Sequence, residues 1–142
     1  MNCIARWFFA LLLYGVTGCK KDEGSVSPPT VVIEPTLQSI QSVVFNNCST
    51  LSCHGAGKGG LTLVDGKSYS QLVNQPSVND GEHSPKFFRV KPFSPDSSFL
   101  YIKITNPRSA LQGDRMPQTN SPLSQNVIDA IKLWIAQGAK NN

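Results

Sequence analysis

Charge is scarce in this chain: charged residues make up 15% of its 142 residues, against about 25% in an ordinary soluble domain. That shortage excludes a coiled coil and a helical repeat, whose outer faces need many charges. Long apolar runs are lacking too. The stretch from Trp7 to Val16 has ten residues, and a bilayer span needs about 20, so a multi-pass membrane protein is excluded. The length allows one domain, not the two or more of a large α/β enzyme. A strong basic patch is also missing. Lysine and arginine total 13 against 9 acids, a net of +4, but they are scattered. Their densest pair, Lys20-Lys21, does not lie on a recognition helix, so no nucleic-acid partner is expected. What the chain does have is 11 glycines, 10 prolines and 39% hydrophobic residues. This describes one small core with much turn and loop.

The N-terminal segment reads as an address. Arg6 supplies a positive start, residues 7–16 an apolar centre, and Val16-Thr17-Gly18-Cys19 a small-residue run ending in cysteine. That ending resembles a bacterial lipobox. The resemblance implies a signal peptide over residues 1–18 and a lipid-modified Cys19. An ordinary cleaved signal peptide with Cys19 as a structural thiol is the alternative. Residues 20–23, Lys-Lys-Asp-Glu, resemble the tract that follows the lipid cysteine in many Bacteroidetes lipoproteins, where it directs export to the outer membrane. The implied location is the cell envelope, anchored to the outer membrane by lipid, each buried CH₂ contributing about 0.8 kcal/mol. Residues 19–35, with Pro28-Pro29 among Gly, Ser and Thr, read as the lipidated cysteine and a tether. The globular domain is expected over residues 36–142.

Four cysteines are encoded. Cys3 leaves with the signal peptide, and Cys19 is assigned to lipid. The remaining pair stands in Cys48-Ser-Thr-Leu-Ser-Cys53-His54. In an oxidising compartment two such thiols do not ordinarily stay free, and three chemistries are open. In C-x-x-C-H, two thiols add to the vinyl groups of haem and the adjacent imidazole reaches the iron. Here the spacing is C-x₄-C-H, and both vinyls stay in reach if the extra residues bulge outward. A Cys48–Cys53 disulfide is the second possibility. The third is zinc held by Cys48, Cys53, His54 and His83, which supplies four ligands but not the paired spacing of a zinc ribbon.

Methionine is nearly absent, and its placement is informative. Beyond Met1 the only one is Met116, in Gly113-Asp-Arg-Met-Pro117. A core methionine is out of place in so polar and turn-prone a stretch, whereas a thioether donor held by a following proline suits it. A helix is expected just after it. Val127, Ile128, Ile131, Trp134 and Ile135 recur on one face, with Ser124 as N-cap and Gly138 as stop. An earlier helix is expected from Leu37 to Phe45, capped by Thr36, with Ile40, Val43 and Val44 inward. It leads into Cys48.

The ordered set of segments resembles the small haem domains known as planctomycete-type cytochrome c. The matching stretches are Cys53-His54-Gly55, Gly60-Leu-Thr-Leu63, Tyr69-Ser-Gln-Leu-Val73 and Val90-Lys-Pro92. Pro95-Asp-Ser-Ser-Phe-Leu-Tyr-Ile-Lys-Ile104 follows. Arg115-Met-Pro117 with Pro122-Leu-Ser124, Ile131, Trp134-Ile135 and Gly138-Ala139 complete the set. They span roughly residues 37–140. The resemblance implies a mainly α, class I cytochrome c-like domain, its N- and C-terminal helices packed beside a haem crevice with long connecting loops. It implies one covalent haem c on Cys48 and Cys53, His54 as proximal and Met116 as distal iron ligand. With both axial positions filled, the implied role is a single-electron carrier and not an enzyme, serving redox partners that nothing in the sequence names. The aromatic residues Phe87, Phe88, Phe93, Phe99, Tyr101 and Trp134 are candidates for the haem wall, each against ordinary core packing, and Trp134 is expected to join the terminal helices. Gly55, Gly57, Gly59 and Gly60 make a turn after His54 that does not read as a phosphate loop. His83, in a polar loop, is a rival distal ligand, and that loop is poor support for calcium.

Overall fold

Helix α1 begins where Thr36 supplies its cap. The Thr36 backbone is extended, and its hydroxyl accepts a hydrogen bond from the Ser39 N–H at 3.2 Å, satisfying one of the donors a helix start leaves open. The computed structural model describes residues 32–78, 87–107, 113–119 and 121–142. The signal segment, Cys19, Lys20-Lys21, the tether up to Val31, and the loop that carries His83 lie outside the described residues. No helix among the described residues is long and apolar enough to cross a membrane.

The helix α1 is a composite. Leu37–Ile40 is α-helical, Gln41–Phe45 is one wide π turn, and Asn46–Cys48 resumes the α form. It runs past the expected end at Phe45, and side chains across the wide turn explain how. Gln41 is buried, and its amide donates to Asn46 Oδ1 at 2.8 Å and to the Leu63 carbonyl at 3.1 Å. Asn47 donates to the Val43 carbonyl at 3.0 Å. These bonds offset the cost of burying an amide and carry the helix on to Cys48.

Two short helices follow, α2 (Ser68–Leu72) and α3 (Phe99–Thr105). Isolated helices of this length are marginal in water, so tertiary burial supports them. Leu72 in α2 and Ile102 in α3 are almost wholly buried. Ser98, also fully buried, ties the loop before α3 together. Its hydroxyl accepts from the Lys91 N–H at 2.9 Å and makes donor contacts to the carbonyls of Ser94 and Lys91. Three isolated bridges, Val73 with Val90, Pro76 with Phe88 and Phe88 with Ser98, draw these loops alongside one another. No strand forms among the described residues.

The last helix, α4 (Gln125–Ala136), buries Val127, Ile128, Ala130, Ile131, Trp134 and Ile135 on one face, the face expected. Ser124 stands at the N-cap with extended backbone, but its hydroxyl bonds Asn126 Oδ1 at 2.6 Å instead of capping the helix. The nearby amide oxygen competes for it. At the other end Gly138 N–H donates to the Ile135 carbonyl and Ala139 N–H to the Trp134 carbonyl, the paired bonds of a Schellman stop. Gly138 has φ +101°, and a Cβ there would meet the Phe93 ring at 2.8 Å, so the position admits only glycine.

Helix α4 packs against α1 and α3. Leu37, Ile40, Val44 and Phe45 meet Ile131, Trp134 and Ile135 in one core. Trp134 joins the terminal helices as expected, and its indole N–H donates to the Lys140 carbonyl at 2.8 Å. Asn142 closes the start of α1, its carbonyl accepting from Gln38 N–H at 2.8 Å and its side chain from Leu37 N–H at 3.1 Å. The described residues are thus mainly helical.

Candidate functional site

The end of α1 delivers Cys48, and a tight loop returns the chain to it. The Thr50 carbonyl accepts from both Cys53 N–H and Gly55 N–H at 3.0 Å, and the Cys48 carbonyl accepts from His54 N–H at 3.0 Å. Leu51, at the tip, is 87% exposed. The two residues added to the usual spacing therefore bulge outward, and the Cys53-His54 end folds back toward Cys48. Gly55 makes this return possible. A Cβ on it would lie 2.0 Å from the Ser49 carbonyl oxygen, far inside any contact distance.

The two thiols are unbonded and unlike. Burial pushes the Cys48 thiol up from its ordinary pKa, and charge on Cys53 pushes it further. Cys53 is exposed, and hydrogen bonds from Thr50 and then Ser52 bring its pKa down. A small opposing effect of burial and the nearby Lys58 charge complete its surroundings.

The imidazole of His54 is oriented by backbone. Its Nδ1 lies 2.9 Å from the Lys58 carbonyl oxygen. A carbonyl can only accept, so in the neutral ring Nδ1 carries the proton and Nε2 the lone pair. This is the arrangement that presents Nε2 to a metal. The glycine-rich turn puts the Lys58 carbonyl where His54 needs it, with Gly57, Gly59 and Gly60 all in the left-handed region and Gly60 N–H donating to the Gly57 carbonyl at 3.0 Å.

Met116 is placed by α3. Its N–H donates to the Lys103 carbonyl at 2.7 Å, and the Lys103 ammonium donates to the Asp114 carbonyl. The segment 113–119 is thereby tied to one residue of α3.

These elements enclose one cavity of about 570 Å³, within the range of small-molecule and cofactor sites. Cys48, Cys53, His54 and Met116 all line it. Its other walls are mostly apolar, with Val44, Phe45, Leu63, Phe99 and Ile131 prominent. Lys58, Arg89 and Lys103 also line it, and no aspartate or glutamate does among the described residues. A second cavity, of about 460 Å³ near Gln38, Asp65 and Tyr69, holds no cysteine, histidine or methionine.

The aromatic candidates divide. Phe99 lines the cavity, and Phe87 stacks on Phe99 with ring centroids 6.2 Å apart. Phe87 itself and the other four are not among its walls. Phe88 and Phe93 are exposed, at 42% and 73%. Phe93 is drawn to the end of α4 by a bond from its N–H to the Ile135 carbonyl at 2.8 Å. Tyr101 is half-buried with the Lys132 ammonium 5.8 Å from its ring centre, and Trp134 belongs to the helix core. Phe45 and Arg89 are wall residues that the sequence reading did not name. Phe45 was detectable in principle, two turns past Leu37 on the same helical face. Arg89 had no local signal, because residues distant in the chain bring it to the site.

Among the described residues, no three of the His, Cys, Asp and Glu side chains converge to hold a metal ion. The four-ligand zinc set would need His83, outside them. A haem needs less of the chain. The residues present fit it: an imidazole with its outer nitrogen satisfied, a thioether, two thiols, apolar walls and cations that suit carboxylates. The chain matches no protein-family model, no curated protein and no solved structure.

Proposed function

We propose that this chain is a membrane-tethered monohaem c-type cytochrome that carries single electrons. One observation carries the reading: both thiols of the Cys-x₄-Cys-His element, the oriented His54 and the one methionine beyond Met1 line a single, largely apolar cavity. The packing of α1 against α4 beside that cavity agrees with a class I cytochrome c-like arrangement.

The bound haem would supply an iron that cycles between Fe(II) and Fe(III). The chain's residues account for the rest. Cys48 and Cys53 would hold the haem covalently, each thiol as a thioether. His54 would hold the iron through Nε2, its tautomer set by the Lys58 carbonyl. Met116 would hold the iron through its thioether, a ligand that favours Fe(II) and raises the potential. The apolar walls exclude water. With both iron ligands supplied by the protein, the site would pass an electron without binding a substrate. The signal segment and Cys19 would place the carrier in the cell envelope, lipid-anchored at the outer membrane.

The test is expression of the full chain in a bacterium with cytochrome c maturation, followed by a denaturing gel stained for haem peroxidase activity. A stained band at the mass of the protein supports the reading. An unstained band beside a positive control moves the assignment to a haem-free lipoprotein module clasped by a Cys48–Cys53 disulfide.

A further inference from the structure

The described walls of the cavity carry positive charge. Lys58, Arg89 and Lys103 line it, and its described walls include no acidic residue. An apolar space with excess positive charge is complementary to an apolar ligand that carries acids.

The two better-buried cations differ. The Lys103 ammonium lies 6.0 Å from the Phe99 ring centre and donates to the Asp114 carbonyl. Burial lowers its pKa, but the Asp114 charge acts against that, so Lys103 already has a counter-charge beside it. Arg89 has a different environment. Its Nη1 donates to the Gln71 carbonyl at 2.8 Å and reaches Gln71 Oε1 at 3.5 Å, and its Nη2 donates to the Gly60 carbonyl at 2.7 Å. All three acceptors are neutral. Burial disfavours its charge, with no anion among the described residues to offset the effect. A partly desolvated charge is costly until an opposite charge joins it. The bonds to Gln71 and Gly60 also hold the guanidinium plane in place, which suits it to a carboxylate.

Resting on the haem reading, we propose that Arg89 anchors a carboxylate of the bound tetrapyrrole, so that the acid-bearing edge of the ring faces the side of the cavity that Arg89 lines. Arg89 then does two things through one loop. It captures the acid, and through Gly60 it braces the turn whose Lys58 carbonyl orients His54.

A guanidinium beside a carboxylate keeps it ionised. An ionised carboxylate near the iron favours Fe(III), and protonating it raises the potential. The experiment compares the midpoint potential from about pH 5 to 8, across the upper carboxyl range, in the haem-loaded wild type, Arg89→Lys and Arg89→Gln. The wild type is expected to be nearly flat. Arg89→Gln is expected to show a potential that falls as pH rises, by at least a tenfold change in the Fe(II)/Fe(III) ratio, about 59 mV for one electron. Its low-spin spectrum should be kept. Arg89→Lys should lie near the wild type.

A wild-type profile as steep as that of Arg89→Gln overturns the proposal. So does a changed spectrum with an unchanged pH profile, since Arg89 would then act only on the His54 turn. If Arg89→Gln fails to retain haem, the wild type and Arg89→Lys decide: flat profiles support the proposal, and a carboxylate step in both overturns it. If the wild type takes up no haem, it is the cytochrome reading that fails. Arg89 is then tested on the haem-free chain with protoporphyrin IX and its dimethyl ester. Binding of the diacid at least tenfold tighter, with the preference lost in Arg89→Gln, retains the anchor, and equal binding of the two removes it.

Discussion

The imidazole Nδ1 of His54 lies 2.9 Å from the carbonyl oxygen of Lys58, four residues further along the chain. That contact depends on the glycine-rich turn between them, and it leaves Nε2 as the ring's available donor atom. Outer partners of this kind set the orientation and basicity of a ligating histidine. In this chain the partner is backbone, so substituting the side chain of Lys58 should leave the orientation intact.

The Gly55 position tests the outward bulge. Gly55→Ala places a methyl group 2.0 Å from the Ser49 carbonyl oxygen. The loop must open, and His54 loses its place against the Cys48 carbonyl. A destabilisation of about 3 kcal/mol is expected, read by denaturant unfolding, with haem attachment reduced at least tenfold on a stained gel. Wild-type attachment in this variant would mean that the loop does not set the geometry of the cysteines.

Thiol reactivity should separate the two cysteines in the reduced, haem-free protein. The thiolate is the nucleophile. Cys53 is exposed with its pKa lowered by Thr50 and Ser52, while burial raises that of Cys48. As pH rises from neutrality, Cys53 ionises first. Iodoacetamide at mildly alkaline pH should label Cys53 at least tenfold faster than Cys48, as measured by mass spectrometry of peptides. Equal rates would contradict the assigned environments.

Met116→Ala should retain haem and lose a ligand. The expected signs are a vacant coordination site that binds added imidazole, and a lower potential. The fall should be at least tenfold in the Fe(II)/Fe(III) ratio, about 59 mV for one electron. Unchanged low-spin ligation would remove Met116 as the distal ligand while leaving the haem itself in place.

Trp134 is 1% exposed and central to the packing of α1 on α4. Trp134→Ala should cost about 3–5 kcal/mol, measured by thermal or denaturant unfolding. Trp134→Phe should cost less, because most of the packing stays. It leaves the Lys140 carbonyl without its indole partner, a loss of about 1 kcal/mol.

The sequence was most readable where one residue type does one job. Thr36 caps α1, the apolar face of α4 faces inward, and Gly138 sits at a left-handed stop. Each follows from local spacing and backbone preference. Readability failed where distant segments decide. Helix α1 continues to Cys48 because Gln41 and Asn47 bond across its wide turn and Leu63 accepts from Gln41, a contact 22 residues away. Helices α2 and α3 are too short for a 3.6-residue period to register, and burial of Leu72 and Ile102 supports them. Phe88 and Phe93 read as wall candidates by type alone, but the bridges and the end of α4 hold them elsewhere. Arg89 was invisible as a site residue because its role depends on Gly60 and Gln71, brought to it by the fold. The Cys48, Cys53, His54 and Met116 constellation was legible from spacing and rarity, and the structure brings all four to one cavity.

The central claim is covalent attachment of haem to Cys48 and Cys53. The most direct measurement is the intact mass of the purified full chain under denaturing conditions, after expression with cytochrome c maturation. Addition of thiols to vinyl groups conserves every atom, so the account predicts the mass of the processed chain plus one whole haem. The haem increment should be absent from the Cys48→Ala, Cys53→Ala double variant. A mass equal to the processed chain less two hydrogen atoms, with no haem, would mean a Cys48–Cys53 disulfide and would contradict the account.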